Sequence, residues 1–496
     1  MYGFETPFMT STRLLWSLSF SALFIPGAPA SVRPVPPAIH AETPAFRLEK
    51  RPIDALVRDA MQQWRVPGTA VVVVQGNRVE YLAGHGEGID PDTIFPLASC
   101  SKAFTVEAIA QLLEKGRMTW DDPVRRHLDW FHLGDSDADG KVTLRDLLSH
   151  RTGVASHDLL WYHAPWSPKD AVRRLAFLPL SKPFRSTMQY QSTMYTAAGL
   201  AIASAEGKSW ADVIRDRILV PLRMTRTSTV APGEAESNRA RPHRRSPWGV
   251  EPMALYPLDA PNAAGSIHST ARDLGTWLRW LLSRKPPREM WRQQIAIVPS
   301  ESQKKLFPAT QYHNYGMGWV LQDYHGLDLV SHGGAIDGFR LHITLVPSRK
   351  LGIAILTNLD QTPMALPLSS TLLDTILGLP PTDWNALHLE HQQRLADEAR
   401  RFESPPANAR PPRPLSAYAG AYAHPAYDEL RLVVRADTLV CRWRGEDAGL
   451  VHVRGDTFLI VSDLLGTADV VFRADDAGNV TGAEVGGRLG VTLRKK

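Results

Sequence analysis

Apolar positions between residues 53 and 64 recur at the spacing of one helix face, and Pro67 with Gly68 closes that run. Two β-rich stretches, 69–75 and 78–83, then flank Gly76 and Asn77, which is the pattern of a hairpin. A short apolar run over 93–97 gives way to small residues and then to a helical pattern that extends to about Glu114. Thr143 is an expected N-cap with Asp146 in the first turn. Ser209 caps an amphipathic helix that runs to Leu219 and stops at Pro221, and another capped helix is expected over 271–282. Four strand-like runs follow at 315–322, 328–334, 339–346 and 351–358, separated by turn residues. Helices first and then consecutive strands, with a hairpin near the start, predict an α+β domain whose sheet is closed by strands from both ends.

Past a Pro-rich stretch the rhythm changes to short strands alone, at 430–435, 438–443, 457–461, 468–473 and 480–485, which predicts a small β-barrel or sandwich. The expected division is a leader over 1–30, a mobile arm over 31–47, the α+β domain over 48–395, a linker over 396–415 and the β domain over 416–496. The leader reads as an export signal: Arg13, an apolar run over 14–25, then Ala28, Pro29 and Ala30 as a cleavage site. Its apolar part is too short to span a bilayer and no cysteine follows it, so a secreted, periplasmic protein without a membrane or lipid anchor is expected.

Composition narrows the chemistry. A chain of 496 residues is too long for one ordinary core, and 44% hydrophobic with 22% charged residues marks a globular protein. The net charge of +5 carries no long basic block, and the densest basic run, 239–245, lacks interleaved aromatics, so nucleic acid is excluded as a partner. A mildly basic surface suits an anionic one, such as cell-wall peptidoglycan. Cys100 and Cys441 are read as two separate buried thiols, and no Cys/His cluster suggests a metal. The glycines at 84, 86 and 88 superficially match a dinucleotide loop but open no helix, so no nucleotide cofactor is expected.

The candidate chemistry starts at Ser99 and Lys102, three apart at the start of a helix and therefore on one face. A serine hydroxyl attacks a carbonyl only with a base beside it, and a lysine is such a base when burial lowers its pKa. The helix start adds N–H groups able to hold an oxyanion. Spacing alone is weak: Ser302 and Lys305 repeat it in a polar run without an apolar lead-in, read as solvated surface. The tract 154–188, rich in Trp, Pro and His, is expected to form a cleft wall. Trp161, Tyr162, His163 and Trp166 there are read mainly as packing within their own loop.

Three pieces then fall in order: Ser99 with Lys102, Tyr190 with Ser192, and His332, Gly333 and Gly334. In that order, and with similar wording around 92–96, 147–153, 241–243, 265–273 and 332–339, the chain resembles the class C β-lactamase and penicillin-binding-protein-like serine hydrolases over roughly residues 50 to 380. Residues 416–427 resemble the opening of the lipocalin-like domain appended to some of them. The resemblance implies a β-lactamase/transpeptidase-like fold, an antiparallel sheet flanked by helices, and an acyl-enzyme mechanism without metal or other cofactor on a small-molecule or peptide substrate. It implies Ser99 as nucleophile and Lys102 with Tyr190 as the coupled acid/base pair. Backbone N–H groups of Ser99 and Ala335 would form the oxyanion hole, and Ser192, His332, Gly333 and Gly334 would line the substrate site. Gly333 and Gly334 also suit close approach of backbone to a ligand. One departure stands out: Ser192 occupies the place of the family's Asn, and a hydroxyl lacks the paired donor and acceptor of a carboxamide. Gln191 has a carboxamide, but as the neighbouring residue in extended backbone it is expected to point the other way.

Overall fold

The computed structural model describes residues 49–496 apart from 234, 258–261, 285–287, 308–309 and 403–409. The expected leader and arm, and the part of the linker over 403–409, lie outside the described residues. Helix α1 (Lys50–Trp64) buries Ile53, Val57, Ala60 and Trp64, the spacing of a single face, and ends at Arg65 in the left-handed region. Strands β1 (Gly68–Gln75) and β2 (Arg78–Gly86) form the hairpin expected around Gly76 and Asn77. Helix α2 (Ser101–Glu114) follows, then α3 (Ser192–Glu206) and α4 (Ala271–Ser283), the last capped by Thr270. Strands β3 (Ile295–Ala296), β4 (His313–Tyr315), β5 (Val320–Tyr324), β6 (Leu327–Ile336), β7 (Phe339–Val346) and β8 (Leu351–Thr357) complete the sheet, and α5 (Ala365–Leu377) and α6 (Trp384–Phe402) follow it.

The sheet order is β2-β1-β8-β7-β6-β5-β4-β3, so the amino-terminal hairpin closes the sheet against the last strand of the domain. Val71, Val72, Val73 and Val74 are all fully buried because both faces are covered. Val71 and Val73 pack in a cluster with α1 and α5, whereas Val72 and Val74 pack with α2 and α4. At about 1.5–3 kcal/mol for a fully buried aliphatic side chain, this one strand anchors both layers.

Three expectations differ from the structure, and the first is the linker expected over 396–415, which begins as helix because α6 continues to Phe402. The run 315–322 is not one strand: β4 ends at Tyr315, and the chain turns over 316–319 before β5 begins. Gly318 has φ +74° there, and a Cβ on it would meet Val106 Cγ2 at 2.9 Å and the Lys102 carbonyl oxygen at 3.3 Å. The turn exists so that the backbone can pass over α2. The helix expected over 209–219 is α-helical only at Trp210–Ile214 and widens to a π-turn over Arg215–Leu219 ahead of Pro221.

The carboxy-terminal domain is a closed barrel of eight antiparallel strands: β9 (Gly420–His424), β10 (Tyr427–Arg435), β11 (Thr438–Trp443), β12 (Glu446–Arg454), β13 (Thr457–Ser462), β14 (Gly466–Ala474), β15 (Val480–Val485) and β16 (Val491–Lys495). Its interior is filled by residues such as Tyr422, Leu432, Leu450, Ile460 and Leu493, which leave a void of about 10 Å³. That is barely room for one water. Its buried residues run without a break into the core of the first domain. Cys100 and Cys441 are both buried and free. Among the described residues no helix is long and apolar enough to cross a membrane.

Candidate active site

Ser99 sits in a single 3₁₀ turn, Ala98–Cys100, that leads directly into α2. Ala98 has φ +44°, a left-handed conformation that is strained by about 1–2 kcal/mol for a residue with a Cβ. The strain is held by neighbours: Leu97 N donates to Ile267 O at 2.7 Å and Cys100 N to Leu97 O at 3.0 Å. The turn therefore presents the Ser99 hydroxyl at the first turn of a helix, where backbone N–H groups have no acceptor within the helix.

Lys102, one turn on, is completely buried. Its Nζ lies 3.0 Å from Ser99 Oγ and donates to Ala264 O at 3.0 Å. Ala264 is itself fixed, its N–H donating to Asn262 Oδ1 at 2.8 Å. Burial lowers the amine from its ordinary range to about 7, while Asp158 and Cys100 push the other way. Near neutral pH a large share of Lys102 is thus the free amine, which donates one N–H to Ala264 and keeps its lone pair for Ser99. Lys305, the cation of the competing pair, is exposed.

Tyr190 closes the group. The Lys102 ammonium position lies 4.9 Å from its ring centroid. The phenol oxygen is buried without a hydrogen bond of normal geometry. Burial pushes its pKa well above the ordinary tyrosine range, and the nearby Tyr315 adds to that, while Ser99 pulls it down. Tyr190 is therefore a protonated phenol, a donor in waiting. Beneath it lies His150, which sequence reasoning did not single out as a site residue. Its ring centroid is 4.3 Å from Tyr190, 4.9 Å from Tyr315 and 5.2 Å from Tyr195. His150 Nδ1 accepts from Gln191 N at 3.1 Å, its Nε2 is buried without a partner, and burial holds the ring neutral, well below its ordinary pKa.

Strand β6 forms the facing wall. Its two-residue turn at Asp337 and Gly338 makes Ile336 and Phe339 the closing pair, so even-numbered residues of β6 bond β7 and odd-numbered ones turn towards β5. Strand β5 stops at Val320, opposite Ser331. The N–H groups of Gly333 and Ala335 are thus left without a strand partner, on the edge that runs beside the 3₁₀ turn of Ser99. How close that edge comes is recorded by Gly334: a Cβ there would lie 2.4 Å from Leu97 O and 3.3 Å from Cys100 Sγ. Gly333 meets nothing closer than 3.7 Å, so its glycine is not forced by packing.

His332 is nearly fully buried. Its Nδ1 donates to Gly333 O at 2.6 Å and its Nε2 accepts from the Tyr315 hydroxyl at 3.1 Å. Burial lowers its pKa to about 3. With both nitrogens engaged, His332 offers the site a ring face in one neutral tautomer rather than a free hydrogen-bonding group. Ser192 opens α3 and is buried beside Tyr190. Gln191 has φ −142° and ψ 105°, extended as expected, and its carboxamide is spent within the protein: Oε1 accepts from Thr193 N at 2.9 Å and Nε2 donates to Ala155 O at 2.6 Å. Of the aromatics at 161–166, Trp161 donates to Asp158 at 2.9 Å, Trp166 to Leu160 O at 2.7 Å and Tyr162 to Asp337 Oδ2 at 2.7 Å.

The family described as Beta-lactamase matches residues 53–373, and one described as Domain of unknown function (DUF3471) matches residues 404–492. The protein named Unguisins hydrolase ungD' of Aspergillus campestris (strain IBT 28561) is 30% identical over 417 residues, which cover 76% of this chain and 76% of that protein. Among solved structures, an octameric penicillin-binding protein homologue from Pyrococcus abyssi superposes with a TM-score of 0.60 at 20% identity, covering 89% of this chain and 99% of its own. A class C beta lactamase from Rhodobacter sphaeroides does so with a TM-score of 0.51 at 22% identity, covering 66% and 99%. The structural likenesses are of fold.

Proposed function

This chain belongs to the Beta-lactamase family, and from that premise we propose that it cleaves an amide or ester through an acyl-enzyme on Ser99. The observation that carries the reading is a fully buried, depressed-pKa amine 3.0 Å from the Ser99 hydroxyl. Lys102 takes the Ser99 proton as Oγ bonds to the substrate carbonyl carbon, and the N–H groups of Ser99 and Ala335 receive the oxyanion. One such donor is typically worth about a hundred- to a thousandfold in rate. Collapse breaks the bond to the leaving group, which takes a proton from the Tyr190 phenol, and Lys102 restores that proton. Water then repeats the cycle, releasing the acid and free Ser99.

Three substrate classes fit this chemistry: a D-amino-acid peptide, a β-lactam and a small ester. Ser192, in the place of the family's Asn, weakens the grip on a substrate amide and favours the ester. The export pattern at 13–30 extends the reading to a periplasmic or secreted hydrolase, with peptidoglycan as a contact of the basic surface. Intact mass spectrometry after fluorophosphonate or labelled-penicillin treatment is the test. One adduct on the wild type and none on Ser99→Ala is expected, and an adduct that persists on Ser99→Ala refutes the assignment.

Ser192 also favours a second reading, a penicillin- or wall-binding protein that turns over nothing. Steady-state hydrolysis of a chromogenic ester and a chromogenic cephalosporin separates the two, since a binder acylates once at most.

A further inference from the structure

The barrel interior is filled down to a void of about 10 Å³, and one of the barrel's residues is placed against local preference. Arg444 and Gly445 form the two-residue turn between β11 and β12, with φ +47° and +83°. Such a turn favours Asn or Gly at its first position, and a long side chain there is strained. The Arg444 side chain is nonetheless only 4% exposed. Its guanidinium donates to Leu159 O at 2.8 Å and to Tyr162 O at 3.1 Å, both in the first domain. On its other side it pairs with Asp428 at 3.0 Å, and it lies 4.2 Å from the Trp443 ring and 4.8 Å from the Trp166 ring. His157 Nδ1 meets the Tyr427 hydroxyl at 3.0 Å in the same segment, and beyond it Arg174 donates to Pro425 O at 3.1 Å.

Residues 155–166 form a wall tied at both ends to the candidate site. At one end Ala155 O is tied to Gln191, next to Tyr190; at the other Tyr162 donates to Asp337, two residues past Ala335. We propose that Arg444 is a positioning residue of the hydrolase site, by which the barrel fixes the 155–166 wall and, through Tyr162, the turn beside the Ala335 N–H. The substrate consequence is that the barrel sets how large an acyl group the cleft accepts. A planar guanidinium can lie between two rings and donate in its own plane to two carbonyls and a carboxylate, whereas a lysine has three donors but no flat face to stack. The substrate part of the inference rests on the acyl-enzyme reading; the positioning part does not.

Hydrogen exchange on the full chain, with Arg444→Met, Arg444→Lys and Tyr162→Phe, tests positioning without any activity. For Arg444→Met, exchange is expected to quicken about tenfold or more in peptides over 155–166 and 336–340 while α3 stays within about twofold. Arg444→Lys should fall between that variant and the wild type, and Tyr162→Phe should loosen 336–340 alone. In parallel, kcat/KM for an ester with a bulky acyl group should fall about tenfold further in Arg444→Met than kcat/KM for an acetyl ester, the difference lying mainly in KM. Unchanged exchange in the wall overturns the proposal, and so does a uniform rise in exchange with equal loss on both esters, which is the mark of a merely destabilised fold. If the wild type is never acylated at Ser99, the acyl-enzyme reading fails and the substrate part with it, while the exchange result still decides whether Arg444 positions the wall.

Discussion

Lys102→Met should make the protein more stable at neutral pH while removing its activity. Lys102 is completely buried, so its desolvation is not relieved by solvent. Its amine is lowered from 10.5 to about 7. A gap of that size corresponds to about 5 kcal/mol against the charged form, of which roughly 4 kcal/mol is felt at pH 7 because the unfolded lysine is charged there. Methionine fills the same space and carries no such penalty. Against this, the variant loses two hydrogen bonds and leaves Ala264 O unpaired, a loss of about 1–3 kcal/mol. The net expectation is a gain of about 1–3 kcal/mol at pH 7. The sign has a pH signature. Because the folded pKa lies below the unfolded one, the penalty is full below about 7, shrinks as pH rises through the window up to 10.5, and vanishes above it. Urea unfolding of the hydrolase domain in the full chain, at pH 7 and pH 10, reads both quantities. A variant less stable than wild type at pH 7, or an advantage that does not shrink by pH 10, would show that the amine is not held neutral by burial.

The same amine sets the rate profile: kcat/KM for an ester should rise through an apparent pKa near 7, with about a tenth of the plateau at pH 6 and about a hundredth at pH 5; a flat profile from pH 5 to 8 excludes Lys102 as the base. Tyr190→Phe, which removes only a donor, should lower kcat on amides by about a hundredfold or more while fluorophosphonate, whose fluoride leaves without a proton, still labels Ser99. Equal loss in both assays argues against that role. Gly334→Ala places a methyl 2.4 Å from Leu97 O, a backbone atom that cannot swing away. A destabilisation of about 1–3 kcal/mol with loss of acylation should follow, measured by urea unfolding and mass spectrometry.

The hairpin at Gly76 and Asn77, the capped helix at Thr270 and the strands after Asp328 were legible because turn residues, caps and alternation are local signals. Ser99, Lys102 and Tyr190 were legible as an ordered set, and the structure brings the three together. What escaped was carried by backbone. Ala98 looks like any small residue, and its left-handed φ is imposed by the contacts of Leu97 and Cys100. The acceptor that orients Lys102 is the carbonyl of Ala264, to which any residue type contributes the same atom. His150 stands out only once Gln191, 41 residues later, donates to it. Arg444 carries no motif at all, since its partners in the first domain are two carbonyls 282 and 285 residues away. The split of the 315–322 run was hidden for a related reason: the clash that demands Gly318 comes from α2, far away in sequence.

The pairing of β1 with β8 has a consequence for biosynthesis. Thr69 Oγ1 donates to Leu356 O, 287 residues downstream, so a ribosome adding about 5–20 residues per second needs roughly 15–60 s between making one strand and making its neighbour. Throughout that interval the hairpin shows an unpaired valine edge, which is a template for association with other nascent chains. An export route that threads the polypeptide before it can fold would keep that edge out of trouble, and a product truncated before residue 350 would lack the partner that covers it.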